Sequence, residues 1–114
     1  MADITEVRAA LDRVVDQLRD VDPDTRAKIP DTTVAARIRD LDVAFAGRLE
    51  GGDLLEIHDI ELDQLAESRL RLTLTSDDLI EVVDGRLSFG RAWAKGRIKV
   101  DAHFRDLFEL RKFL

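Results

Sequence analysis

Apolar residues recur at helical spacing at the start of the chain, where Ile4, Val7, Leu11, Val14, Val15 and Leu18 share a face. That spacing predicts an amphipathic helix, and Asp3 with Glu6 supplies the D-x-x-E form of a capping box ahead of it. Asp22-Pro23-Asp24 ends the helix, because proline drives the preceding residue out of helical geometry, and Ile29-Pro30-Asp31 marks a second break. The stretch between them reads as a loop or a short helical turn. From Thr33 the period drops to two: Val34, Ala36 and Ile38 alternate with Ala35, Arg37 and Arg39, while Val43, Phe45 and Leu49 keep a second phase. Two strands with a bend at residues 40 to 42 follow from this. Gly51-Gly52 tolerates positive φ at both positions of a tight hairpin, so Leu54 to Ile60 is the expected returning strand, with Glu50 opposite Asp53.

Residues 61 to 68 show no clean period and fit either a helical turn or a connecting loop. Leu70, Leu72 and Leu74 then alternate with Arg69, Arg71, Thr73 and Thr75 as a half-buried strand. Thr75-Ser76-Asp77-Asp78 matches a helix start with carboxylates at the positive end of the helix dipole, and Asp84-Gly85 stops that helix. Ser88 caps a further short helix in which Phe89, Ala92 and Trp93 share a face and Gly96 makes the exit. Ile98 and Val100 alternate with Arg97, Lys99 and Asp101 as a last strand. Phe104, Leu107, Phe108, Leu110 and Leu114 make the closing segment an amphipathic helix. The order is that of an α+β protein with one sheet covered on one face, and 114 residues with 45% hydrophobic content suit a single domain over residues 1 to 114.

Charge sharpens this picture because it is unevenly placed. Residues 1 to 85 carry 10 basic against 21 acidic side chains, net −11, and residues 86 to 114 carry 8 against 3, net +5. Aromatics follow the same division: Phe89, Trp93, Phe104, Phe108 and Phe113 lie in the last quarter, and Phe45 alone precedes it. Net acidity works against a polyphosphate partner, so nucleic acid is not expected. With no cysteine, thiolate catalysis, disulfides and cysteine-held metals are excluded. The chain also has no long apolar run and no secretory-type start, so a cytoplasmic protein without a transmembrane segment is the expectation.

Candidate chemistry is sparse. Glu56, His58, Asp59 and Glu61 include metal-ligand residue types, but strand alternation divides them between two faces, so no metal site is expected. Asp77-Asp78 is explained by helix capping, and no nucleophile elbow, P-loop or dinucleotide fingerprint occurs, so the reading is of a non-enzyme with no catalytic residue and no cofactor.

The run Leu72-Thr73-Leu74-Thr75-Ser76-Asp77-Asp78-Leu79, then Val83-Asp84-Gly85-Arg86-Leu87, then Arg91-Ala92-Trp93-Ala94-Lys95-Gly96-Arg97-Ile98-Lys99-Val100 resembles the C-terminal half of the sterol carrier protein type 2 family. The resemblance implies a single five-stranded, mostly antiparallel sheet covered by helices, an apolar tunnel, and non-enzymatic binding or carriage of a fatty acid, fatty acyl-CoA or sterol-like lipid. Carried over position by position, it implies that Leu72, Leu74, Leu79, Phe89, Trp93, Ile98 and Val100 line or floor the tunnel. The closing segment adds Phe104 and Phe108 to the expected ligand-binding set, as a gate. Ala102, His103, Arg105 and Asp106 depart from the family's small and glycine-rich pattern after the last strand, where bulk narrows, reroutes or fills a cavity. Those positions motivate the alternative reading: a protein-interaction module of the same fold that has lost lipid binding and uses its apolar C-terminal face for a partner or for self-association. Arg91, Lys95, Arg97 and Lys99 read either as a solvated face or as an attraction for anionic groups, which leaves room for transient contact with a membrane surface.

Overall fold

The computed structural model describes residues 2–102 of the chain. Expectations that fall on later residues, namely the closing helix, His103, Arg105, Asp106, and Phe104 and Phe108 of the ligand-binding set, lie outside the described residues. Helix α1 (Ile4–Arg19) starts at the expected capping box: the Glu6 amide donates to Asp3 Oδ1 at 2.8 Å, and the Asp3 amide donates back to Glu6. Val7 and Ala10 are its buried residues. The stretch between the two prolines holds a single helical turn, α2 (Pro23–Arg26), capped by Asp22. Strands β1 (Thr32–Ile38), β2 (Val43–Glu50) and β3 (Asp53–Ile60) form a meander. A 3-10 helix (Leu62–Glu67) leads to β4 (Leu70–Leu74), then α3 (Ser76–Val83), α4 (Phe89–Ala94) and β5 (Lys99–Ala102).

The five strands form one sheet in the order β3-β2-β1-β4-β5. All neighbours are antiparallel except β1 and β4, which run parallel at the centre with Ala36 opposite Leu72. The Gly51-Gly52 turn has φ of 60° and 82°, and Glu50 does stand opposite Asp53. Two carboxylates facing one another repel. Each has its own cation here: Arg26 reaches Asp53 at 2.5 Å and Arg48 reaches Glu50 at 3.0 Å. Strand β5 starts two residues later than the alternation from Arg97 suggests, because the Arg97 and Ile98 amides both still bond back to the Ala92 carbonyl at the exit of α4.

Helices α1, α3 and α4 cover one face of the sheet, and the core lies between. It consists of Val7 and Ala10 from α1, Ile38, Phe45 and Leu74 from the strands, Leu79 and Val83 from α3, and Ala92 with Ile98 from the C-terminal elements. Ile38 and Ile98 are fully buried, and each such side chain stabilises the fold by about 2 kcal/mol. Polar contacts fix the helices in place. Arg8 forks onto Asp59 at 2.8 and 2.7 Å while its guanidinium lies 5.4 Å from the Phe45 ring centre, tying α1 to β2 and β3. The buried Ser76 at the start of α3 donates its amide to Asp40 at 2.8 Å and its hydroxyl to the same carboxylate at 2.5 Å. The β1–β2 turn is thereby joined to α3.

Candidate functional site

Between the sheet and its helical cover lies an apolar cavity of about 390 Å³. Its sheet wall comes from Val34 and Ala36 on β1, Phe45 and Gly47 on β2, Leu54 and Ile57 on β3, and Leu72 and Leu74 on β4. Its helical wall comes from Leu11, Val14 and Leu18 on α1, and from Leu79, Val82 and Val83 on α3. Phe89 and Ile98 complete it. Val34 and Ala36, like Leu54, Ile57 and Leu72, remain partly accessible although they face the helices, so the space is a cavity with a mouth rather than tightly packed core. Phe89 is 36% exposed and stands both at the surface and in the lining.

The β3 wall is set by a bulge. Glu56 and Ile57 together oppose Gly47, and Glu56 adopts φ of 58°. Under strict alternation Leu54 would share a face with Glu56 and His58, and Ile57 would point the other way. The extra residue resets the phase, so that Leu54 and Ile57, three positions apart, both enter the cavity, while Glu56 and His58 line a hollow on the other face. Gly47 makes room for them: a Cβ there would sit 3.1 Å from the Leu55 carbonyl oxygen and 3.2 Å from Leu54 Cδ1. Past the bulge the metal-ligand residue types face as alternation predicts, Glu56 and His58 lining one hollow and Asp59 and Glu61 another beside Arg8. His58 Nδ1 lies 2.7 Å from the Glu56 carbonyl oxygen of its own bulge.

One polar side chain, Gln17, is among the lining residues, and its amide nitrogen donates to the Val83 carbonyl at 2.7 Å. Among the described residues, charged groups stand outside the cavity. Asp78 on α3 is almost fully buried and pairs with Arg97, which also reaches Glu81 at 3.4 Å. The hydrogen bond that Arg97 donates to Asp78, together with the negative charge of that carboxylate, raises the Arg97 pKa further above the ordinary guanidinium value. A second, larger hollow of about 520 Å³ beside the first turn of α1 is of another kind, with Arg8, Asp42, Asp59, Glu61 and Asp63 around its rim.

Of the residues expected from the sequence to meet a ligand, Leu72, Leu74, Leu79, Phe89 and Ile98 come together in the cavity wall. Trp93 lies behind Phe89, ring centres 6.2 Å apart at 56°, and Val100 packs against the core on β5. Sequence reasoning missed the contributions of α1 and of the bulge. The α1 stripe was visible as a stripe, but hydrophobicity reads the same whether a side chain faces core or cavity.

These features define an α+β domain class in which a mixed five-stranded sheet and a helical layer enclose an apolar cavity. The chain has the sterol carrier protein 2 fold. It is similar to sterol carrier protein 2 like 2 from Aedes aegypti at TM-score 0.66 and 14% identity, over 96% of this chain and 97% of that one. The solution structure of the palmitated form of that mosquito protein matches at TM-score 0.63 and 14% identity, over 98% and 94% of the two chains. A stereoselective inverting sec-alkylsulfatase from Pseudomonas sp. matches at TM-score 0.57 and 24% identity, over 78% of this chain. The chain spans only 13% of that enzyme's length. No protein-family model and no curated protein sequence matches. Among the described residues no helix is long and apolar enough to cross a membrane.

Proposed function

We propose that this protein binds and carries a hydrophobic lipid, a fatty-acyl or sterol-like molecule, in the cavity between its sheet and helices, and that it does so without catalysis. The observation that carries this reading is the cavity itself: about 390 Å³ of space whose wall, among the described residues, is almost wholly apolar, with its one polar side chain already bonded to backbone. Left open to water, such an apolar wall is unfavourable because its hydrocarbon surface stays hydrated. Filling it with hydrocarbon reverses the sign. About ten buried methylenes contribute roughly 8 kcal/mol before ordering costs, enough for micromolar capture without a charged anchor. Leu72, Leu74, Leu79, Phe89 and Ile98 contact the chain of the ligand in this reading, with Trp93 and Val100 supporting them from behind. The fold shared with a palmitated sterol carrier protein is consistent with it. Native mass spectrometry of protein purified from cells, together with displacement of a fluorescent fatty acid, tests it. A co-purified lipid mass and saturable displacement are expected. A protein that carries no lipid and displaces no probe overturns the reading.

A further inference from the structure

We propose that the face carrying α4 docks on anionic lipid bilayers, Phe89 entering the interface while Arg91 and Lys95 hold the headgroups. Residues 85 to 100 contain five basic side chains and no acidic one, in a chain of net charge −6. Two of the five are engaged: Arg86 with Asp84 at 3.0 Å, and Arg97 with Asp78 and Glu81. Arg91, Lys95 and Lys99 are exposed, and among the described residues none of the three forms an ion pair.

Helical spacing arranges the face. Ala92 is fully buried beneath α4, Phe89 and Trp93 stand four apart on one flank, and Arg91 and Lys95 stand four apart on the other. An exposed aromatic beside unpaired cations is the arrangement that holds a peripheral protein at a headgroup boundary, the ring in the interface and the charges on the lipid phosphates. The acidic remainder of the chain does not cancel this attraction. At physiological ionic strength a surface feels only charges within about 8 Å, so the local patch decides and not the net charge. Phe89 also lines the cavity, so the docked face is continuous with the cavity wall. The docking goes beyond the lipid-carrying reading and is separable from it, since vesicle binding needs no ligand in the cavity.

Flotation of the full chain with vesicles of phosphatidylcholine alone, or of equal parts phosphatidylcholine and phosphatidylglycerol, tests the proposal. Retention on the anionic vesicles only, weakened by salt, is expected. Arg91→Glu with Lys95→Glu is expected to lower the affinity at least about tenfold, since each cation near the surface is worth about fivefold. Arg19→Glu with Arg39→Glu makes the same charge change elsewhere and is expected to shift it less than about twofold. Phe89→Ser is expected to weaken binding with an unchanged circular dichroism spectrum. Equal retention on both kinds of vesicle, wild-type affinity in either α4 variant, or an equal loss in the control variant overturns the proposal. So does displacement of the vesicles by heparin together with wild-type binding by Phe89→Ser, which would mean that the face reads charge alone.

Discussion

The side-chain amide of Gln17 donates to the Val83 carbonyl at 2.7 Å, so the one polar side chain among the described residues of the cavity wall is turned to the backbone at the end of α3. The same carbonyl accepts a longer bond of 3.4 Å from Arg13, whose guanidinium also meets Asp84 at 2.5 Å. Gln17 thus closes α3 against α1 rather than presenting hydrogen-bonding capacity to the cavity.

Replacing Gln17 by Leu is therefore expected to separate stability from ligand capture. The lost bond costs about 1 kcal/mol, moderated because Arg13 still reaches the carbonyl. Urea unfolding should show that loss while displacement of a fluorescent fatty acid stays within about twofold of wild type. A large drop in probe affinity would mean that Gln17 anchors the ligand.

Gly47 is the place to close the cavity. A Val side chain there meets Leu54 and Ile57, and its Cβ presses on the Leu55 carbonyl, which as backbone has little freedom to retreat. Gly47→Val is expected to abolish probe binding and to cost about 1–3 kcal/mol through overpacking. Binding at wild-type strength in a folded Gly47→Val protein would place the ligand elsewhere.

The pair between Asp78 and Arg97 joins α3 to the residue just before β5. Asp78 is buried and Arg97 about half exposed, so the interaction lies between the surface and interior limits. Arg97→Ala is expected to cost about 1–2 kcal/mol, much of it from leaving the carboxylate without its partner. A double-mutant cycle with Asp78→Asn, followed by chemical denaturation, should return a favourable coupling; additive losses would show that the contact contributes nothing.

Acid should loosen the fold through two carboxylates. Burial works to raise the pKa of Asp40, but the bonds from the Ser76 hydroxyl and amide outweigh it and leave the value below normal. Asp59 is held low chiefly by the hydrogen bond from Arg8. A depressed carboxylate stabilises the native state above its unfolded value of about 3.9, and that contribution is lost as pH falls through the folded pKa. Stability is expected to hold down to about pH 4 and to decline below it. Asp40→Asn should be less stable at neutral pH and should show a shallower acid limb, as measured by thermal unfolding across pH.

Glu56 occupies the left-handed region within a strand, at a cost of about 1 kcal/mol for a residue with a side chain. Glu56→Gly is expected to be neutral or to raise the melting temperature, against the usual penalty for glycine in a strand, and Glu56→Val to lower it. The opposite order would mean that the bulge is not set by backbone geometry at this position.

Local rules carried most of the architecture. The Asp3–Glu6 box, the Thr75 and Ser88 caps, the two-glycine hairpin and the alternation in β1, β2 and β4 each depend on neighbours within a few positions, and each is present in the structure. The β4 part of the sheet wall was legible for the same reason, through Leu72 and Leu74. The bulge was not, because Glu56 has none of the glycine or asparagine character that marks positive φ in a sequence. Nor were the pairs of Arg97 with Asp78 and Arg8 with Asp59, which lie 19 and 51 positions apart and exist only once the helices are seated.

The parallel contact of β1 with β4 sets the order of assembly. The β1–β2–β3 meander closes through short turns, yet one side of β1 keeps a row of free backbone groups until residues 70–74 arrive. During synthesis that side is an open template beside the apolar row Val34, Ala36 and Ile38, available to another chain as readily as to its own β4. The wait is one of loop-closure entropy over more than thirty residues, and it is expected to make the joining of β1 to β4 the slow and aggregation-exposed step of folding.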